Sequence, residues 1–263
     1  MKDALDKERI IQHKKKSIRS INNLMEKYLS AGDSSSLKKV DLLSYWIEEY
    51  TRYLTWEESF DPKKVKRYSR GDVIKVNFGF RVGNELGGLH FAVVIESDNA
   101  HSAGTIIVVP LKSTDGKTIH PSNVDLGTEL YSKIKDRQDI LLRQAQEALC
   151  DISNLITATL QADGSSEPIT RERIMQIIKA SPELSLKRDI LKQNISAHER
   201  NLKEIEKLKS GSMAVINQIT AISKQRIYTP KKSEDFLDGV SLSNTALEKI
   251  NEKLKEKLFK SNK

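Results

Sequence analysis

The chain has 263 residues, of which 38% are hydrophobic and 30% are charged, and its formal net charge is +8. This length and apolar content suffice for a folded core, and no apolar run approaches the roughly 18 residues that a membrane-spanning helix requires. The single cysteine, Cys150, excludes an intrachain disulfide, and the start Met-Lys-Asp lacks the apolar core of a signal peptide, so a cytoplasmic protein is expected. The positive charge favours a polyanionic partner without identifying it.

Two amphipathic helices are predicted at the N-terminus. Apolar residues recur at helical spacing through residues 8–29, the segment SAGDSSS interrupts them, and a second apolar stripe runs through residues 37–54. The aromatic side chains of the second helix could stack on nucleic acid bases. Burial of Trp46 and Tyr50 against the first helix or a neighbouring core is the commoner outcome and is the one expected here.

The pattern changes to that of strands after PKKVKRYSRGD. The runs VIKVNF, FAVVIE and TIIVVPL follow one another, and the glycine-rich segment GFRVGNELGGLH separates the first two. Three strands in succession predict a small antiparallel sheet. Residues 92–95 and 106–109 are apolar at every position, so these strands are expected to be buried on both faces.

The helical period returns at about Lys133 and persists to about Leu160. A short helix around residues 174–178 and a charged helix over residues 185–208 are predicted next, and the two long helices could pair as an antiparallel hairpin. Its charged outer face is either a solvated face or an RNA-binding arm. The strand pattern resumes in SMAVINQITAISKQRI, and a last helix follows, with Ser243 as its N-cap.

Three of these blocks, RGDVIKVNFGFRVGNELGGLHFAVVIE, TIIVVPLKST and VINQITAISKQRI before a terminal helix, together resemble the MazF/PemK toxins of bacterial type II toxin-antitoxin systems. The resemblance implies an α+β fold, a small, strongly curved antiparallel SH3-like barrel with a C-terminal helix. On this interpretation residues 1–62 are an N-terminal helical extension. The barrel comprises residues 66–132 and 208–263, and residues 133–207 are an inserted helical hairpin, although a separate helical domain remains an alternative.

The resemblance also implies a function. Members of the family are cytoplasmic homodimers that cleave single-stranded RNA, mainly mRNA, without a metal or other cofactor. They regulate growth, a cognate antitoxin neutralises them, and they bind DNA together with that antitoxin. No two histidines of this chain lie at a metal-ligand spacing with cysteine or carboxylate partners, so no metal site is predicted.

The alternative to a nuclease is a catalytically inactive MazF-like module that binds RNA or protein. A third hypothesis is that the helical hairpin covers the barrel groove in place of an antitoxin.

Metal-free RNA cleavage needs a base for the 2′-hydroxyl proton, an acid for the leaving 5′-oxygen, and positive or hydrogen-bonding groups around the phosphorane. The family supplies a catalytic arginine at the end of its glycine loop and a threonine or serine after the third strand. His90 stands at the arginine position here. An imidazole with an unperturbed pKa near 6.5 suits acid–base chemistry, but it lacks a permanent charge. Lys112 or Ser113 stands at the threonine position, and either could act at the phosphate.

RNA-binding residues are predicted in three places, and each set also has a structural explanation. The loop between the first two strands contributes Glu85, Gly87 and Gly88, although a hairpin connector would use the same glycines. Thr114 follows the third strand in the turn-like segment Ser-Thr-Asp-Gly. The last strand block contributes Gln218, Lys224 and Arg226, residue types that more often serve as solvated surface.

Overall fold

The computed structural model describes residues 6–164, 168–232 and 235–259. These residues form an α+β fold with six α-helices and seven antiparallel strands, which confirms the predicted fold class at that level. The chain groups into two compact units. One contains the first two helices and the segment Gly79–Gly88, and the other contains Asp61–Phe78 and the remainder from Leu89 onward. None of the described helices is long and apolar enough to cross a membrane.

The first unit is built on helices α1 (Lys7–Ala31) and α2 (Ser34–Glu57), which confirm the two predicted N-terminal helices. Asp6 and Asp33 cap their N-termini through side-chain oxygens, and Gly32 ends α1 in the left-handed conformation. Trp46 stacks on Tyr50 with ring centroids 5.6 Å apart. Tyr50 nevertheless remains 49% exposed, contrary to the expectation of burial, since this contact leaves much of its surface in solvent.

The second unit is built on a seven-stranded sheet in the order β4-β5-β3-β2-β1-β7, in which β6 also pairs with β3. The three predicted strands are present, and the run after Ser212 is divided into three strands by two 3₁₀ turns. One further strand, β4, was not predicted. The strands are β1 (Val73–Asn77), β2 (Leu89–Val94), β3 (Thr105–Ser113), β4 (Val124–Gly127), β5 (Ser212–Ala214), β6 (Thr220–Ser223) and β7 (Ile227–Thr229).

Both faces of the central strands are largely buried, as their uninterrupted apolar runs predicted, but Ile107 of β3 is 39% exposed, contrary to that prediction. On one face Val73, Val93 and Val109 join a core that also contains residues of the helices. On the other face Ile74, Ala92 and Val108 are each 0% exposed. Successive side chains of a strand point to opposite faces, so the sheet separates two apolar layers.

Four helices complete the second unit. Leu130 and Ile134 at the start of the first long helix and Ile205 and Leu208 at the end of the second belong to the core of the sheet. Farther out, this helical segment has a small core of its own around Ile152. Ser243 caps the last helix through its hydroxyl, as predicted. The helices are α3 (Glu129–Asp163), α4 (Arg171–Ala180), α5 (Pro182–Leu208) and α6 (Asn244–Phe259).

Candidate active site

One end of the sheet collects several of the predicted site residues. Val76 near the end of β1 pairs with His90 near the start of β2, and Val76 also pairs with Ile227 at the start of β7. The end of β3 lies at the same end of the sheet because β3 runs antiparallel to β2. The candidate site is therefore the end of the sheet where β1 and β3 finish and β2 and β7 begin.

His90 and Lys112 occupy matching positions on neighbouring strands of this end. Ala92 of β2 pairs with Pro110 of β3. This is the last pair of the β2–β3 ladder, and His90 and Lys112 each lie two residues beyond it, on the same face of the sheet. His90 is half-buried and Lys112 is exposed. The site thus combines a group that can exchange a proton with a group that carries a positive charge.

Arg226 is held at the same end of the sheet from the side of β7. It closes the 3₁₀ turn Lys224–Arg226 that precedes β7, and its Nε donates a 2.8 Å hydrogen bond to the carbonyl oxygen of Asn77. Asn77 is the last residue of β1 and pairs with Leu89, the neighbour of His90. The structure therefore brings a guanidinium to the strand ends that hold His90.

Ser113 and Thr114 make contacts typical of a strand-end turn. The hydroxyl of Ser113 donates to the carboxylate of Asp115 at 2.9 Å and accepts from the backbone N–H of Asp115 at 3.2 Å. Thr114 is 7% exposed, and its hydroxyl donates to the carbonyl oxygen of Ser210 at 2.7 Å. Since Ser113 alternates with Lys112 along β3, it points to the other face of the sheet from His90. These contacts favour structural roles for Ser113 and Thr114.

The other two predicted residues of the last strand block lie in the 3₁₀ turns on either side of β6. Gln218 ends the 3₁₀ turn Ile216–Gln218 and is half-buried. Lys224 is 1% exposed, and its ammonium donates to the carbonyl oxygen of Ala100 at 3.2 Å. Burial lowers the pKa of Lys224, although the carboxylate of Glu96 acts in the opposite direction. The burial of Lys224 favours a structural role over contact with RNA.

The glycine loop between β1 and β2 belongs to the first compact unit. A Cβ added at Gly79 would lie 2.7 Å from the indole ring of Trp46, so this loop packs directly on α2. The N–H of Gly88 donates to the carbonyl oxygen of Gly79 at 2.8 Å, and a Cβ at Gly87 would approach the same oxygen to 2.7 Å. Glu85 is exposed and lies 3.9 Å from the guanidinium of Arg81. The glycines thus close the loop on itself and against Trp46.

A buried lysine beneath an exposed tyrosine was not singled out from the sequence. Lys75 in β1 is only 4% exposed, and its Nζ lies 5.7 Å from the ring centroids of both Phe91 and Tyr228. Tyr228 in β7 is 56% exposed. The sequence did contain a signal for this arrangement. Lys75 interrupts the apolar strand VIKVN, and a charged side chain buried at such a position requires a specific partner.

Residues 69–148 match the sequence model of a family described as PemK-like, MazF-like toxin of type II toxin-antitoxin system. The matched segment begins just before β1, contains β1 to β4 and ends within α3. It therefore includes His90, Lys112 and the glycine loop. No curated protein shows significant similarity to the chain.

Proposed function

We propose that the protein is a metal-independent endoribonuclease of a type II toxin-antitoxin system that cleaves single-stranded RNA, because residues 69–148 match the sequence model of the PemK-like, MazF-like toxin family. The observation that supports this site is the pairing of β2 with β3, because His90 and Lys112 lie on one face of the sheet, each two residues beyond the last pair of that ladder. Side chains on the same face of neighbouring strands, at the same end of the sheet, could both approach one phosphate.

The residues of this end of the sheet suit a transesterification at phosphorus. His90 would accept the proton of the RNA 2′-hydroxyl, the 2′-oxygen would attack the phosphorus atom, and the bond to the 5′-oxygen would break as that oxygen takes up a proton from a water molecule. Lys112 would stabilise the additional negative charge of the phosphorane. Arg226, anchored through its Nε to the carbonyl oxygen of Asn77, would contribute a permanent positive charge, which the imidazole lacks, to a phosphate next to the scissile one. The products would be a 2′,3′-cyclic phosphate and a 5′-hydroxyl.

The strand pairings support an SH3-like barrel as the setting of this chemistry. β1 pairs with β2 and with β7, β3 pairs with β2 and with β6, and a 3₁₀ turn connects β6 directly to β7. The last strand along the chain, β7, thus pairs with the first strand, β1, an arrangement that a barrel requires. On this proposal residues 66–132 and 208–263 form the barrel, residues 133–207 are inserted in it, and residues 1–62 extend it.

The biological setting is part of the same proposal. A type II toxin has a cognate antitoxin, and we propose that this protein binds one, that it acts in the cytoplasm as a homodimer, and that the toxin–antitoxin complex binds DNA. The net charge of +8 supports contact with a nucleic acid.

The test is incubation of the wild-type protein and the His90→Ala variant with a long single-stranded RNA in EDTA, with analysis of the fragment ends. Wild-type protein is expected to produce 2′,3′-cyclic phosphate ends in chelator, and His90→Ala to lower the rate by about 10²–10⁴-fold, the range typical of a lost general acid or base. His13→Ala, which changes a histidine of α1, is the matched control and should leave the rate unchanged. Fragments that carry only 3′-hydroxyl ends would refute the mechanism.

A second candidate function is binding of RNA without cleavage. It is favoured by His90, which stands where the family pattern has an arginine. A catalytically inactive module would bind RNA but leave it intact even at high protein concentration. Equal, undetectable cleavage by wild-type protein and His90→Ala, together with retained RNA affinity, would support that function over the nuclease.

A further inference from the structure

Lys75 is a buried charged group of the second unit that the proposed cleavage does not use. Its backbone pairs with Phe91 of β2 on one side and with Thr229 of β7 on the other, so it lies in the middle of three strands. Its ammonium lies equally close to the rings of Phe91 and Tyr228, 5.7 Å from each centroid. A buried ammonium placed on two aromatic rings is stabilised by their negative faces and holds both rings in place.

The two rings differ in their access to solvent. Phe91 is 7% exposed and belongs to the core of the sheet, whereas Tyr228 is 56% exposed. The register of β1 and β7 shifts between Lys75 and Val76, which leaves Tyr228 as an extra residue between Ile227 and Thr229. Such a bulge redirects a side chain. The lysine thus supports an aromatic ring that still presents most of its surface to solvent.

A positive side chain lies close to this ring along the chain. Arg226 precedes Tyr228 by two residues and is fixed by its bond to the carbonyl oxygen of Asn77, which itself lies two residues beyond Lys75 in β1. Proteins that bind single-stranded nucleic acids combine aromatic rings, on which bases stack, with positively charged side chains along the backbone, and this segment of the chain carries both kinds of residue.

We propose that Tyr228 is a stacking platform for an unpaired base of the RNA, with Arg226 on an adjacent phosphate and Lys75 fixing the ring from below. This inference rests on the proposed function, since RNA is the ligand. Lys75 and Val76 alternate along β1, and Val76 pairs with His90, so the platform and His90 lie on opposite faces of β1. The stacked base therefore belongs to a nucleotide that flanks the scissile phosphate, and Tyr228 contributes to substrate affinity rather than to the chemical step.

The test separates binding from cleavage by using a 2′-O-methyl oligonucleotide, which has no 2′-hydroxyl to react. Fluorescence anisotropy would measure its Kd for the wild-type protein, Tyr228→Phe and Tyr228→Leu. A second oligonucleotide with the same backbone but without bases would be measured in parallel. Tyr228→Leu is expected to weaken binding of the first oligonucleotide by about 5-fold to 100-fold and to leave binding of the abasic one unchanged. Tyr228→Phe, which keeps the ring, should bind like the wild type.

Two further variants sharpen the assignment. Tyr45→Leu removes a tyrosine of α2 that is 67% exposed, and it should leave both dissociation constants unchanged. Arg226→Gln should weaken both oligonucleotides and reduce the slope of log Kd against log salt by about 0.7. Tyr228→Leu should leave that slope unchanged, because stacking involves no counterion release.

The results of this binding test can be told apart from the results of the cleavage test. Equal affinity of wild-type protein and Tyr228→Leu, or equal affinity of the wild type for the natural and abasic oligonucleotides, would overturn the platform. Absence of any binding by the wild type would overturn it as well. Base-dependent binding that Tyr228→Leu abolishes, in a protein that cuts no RNA, would support the platform while refuting the nuclease.

Discussion

Replacement of Tyr68 by phenylalanine is expected to lower the free energy of unfolding by about 1–3 kcal/mol at pH 8. Tyr68 precedes β1, is 1% exposed, and donates a 2.7 Å hydrogen bond from its hydroxyl to the carbonyl oxygen of Pro230. Phenylalanine fills the same space without that donor. Because Pro230 is itself buried, its carbonyl oxygen would lose this hydrogen bond where water does not readily replace it.

The size of this effect should depend on pH. Burial raises the pKa of Tyr68, and the nearby carboxylates of Asp235 and Asp72 raise it further. The folded state therefore keeps the phenolic proton above pH 10, where an unfolded tyrosine loses it, so the folded state binds more protons and stability falls as pH rises. From pH 8 to pH 11 this linkage removes about 1.4 kcal/mol from the wild type. The phenylalanine variant has no such proton, so the difference between the two proteins should shrink by that amount.

Denaturant unfolding at pH 8 and pH 11, followed by circular dichroism, would measure both quantities. Tyr45→Phe is the matched control, because Tyr45 is 67% exposed and its replacement should change the free energy of unfolding at pH 8 by less than about 0.5 kcal/mol. A stability difference between wild-type protein and Tyr68→Phe that is the same at both pH values would refute the reasoning about the buried hydroxyl.

Two further substitutions test contacts of the glycine loop and of the turn after β3. Gly79→Ala should destabilise the first unit by about 1–3 kcal/mol more than Gly83→Ala and alter tryptophan fluorescence, because both glycines have positive φ but only Gly79 lies against Trp46. Equal effects of the two substitutions would show that the ring contact is unimportant. Thr114→Val should lower the free energy of unfolding by about 1–2 kcal/mol and leave RNA cleavage unchanged, since the hydroxyl donates to Ser210. Slower cleavage without loss of stability would instead support an RNA contact.

The elements with long, regular apolar patterns were predictable from the sequence. The stripe through residues 37–54 is continuous over several turns, and the unbroken apolar run at 92–95 is typical of a strand buried on both faces. Local chemistry also identified Ser243 as an N-cap, and its hydroxyl accepts from the N–H of Ala246. In each case the signal lies within a few residues of the element that it specifies.

Features that depend on distant partners were not predictable in the same way. The four residues of β4 contain only two buried apolar side chains, so the strand is recognisable chiefly by its pairing with β5. A lysine such as Lys224 is ordinarily a surface residue, and its burial depends on the carbonyl oxygen of Ala100, which is far away in sequence. The same distinction applies to the residues of the proposed RNA site. His90 was predicted from its place after the glycine loop, whereas the contact of Tyr228 with Lys75 depends on the pairing of β7 with β1.

The contact between Trp46 and the glycine loop gives the N-terminal helices a role in the proposed nuclease. Gly79 lies under the indole ring, and the close approach of Gly87 to the carbonyl oxygen of Gly79 leaves the loop little freedom at either end. The exposed carboxylate of Glu85 is carried by this same loop. Any RNA contact made by Glu85 therefore depends on how α2 presents Trp46, so a helix outside the matched family segment would set the geometry of a loop inside it.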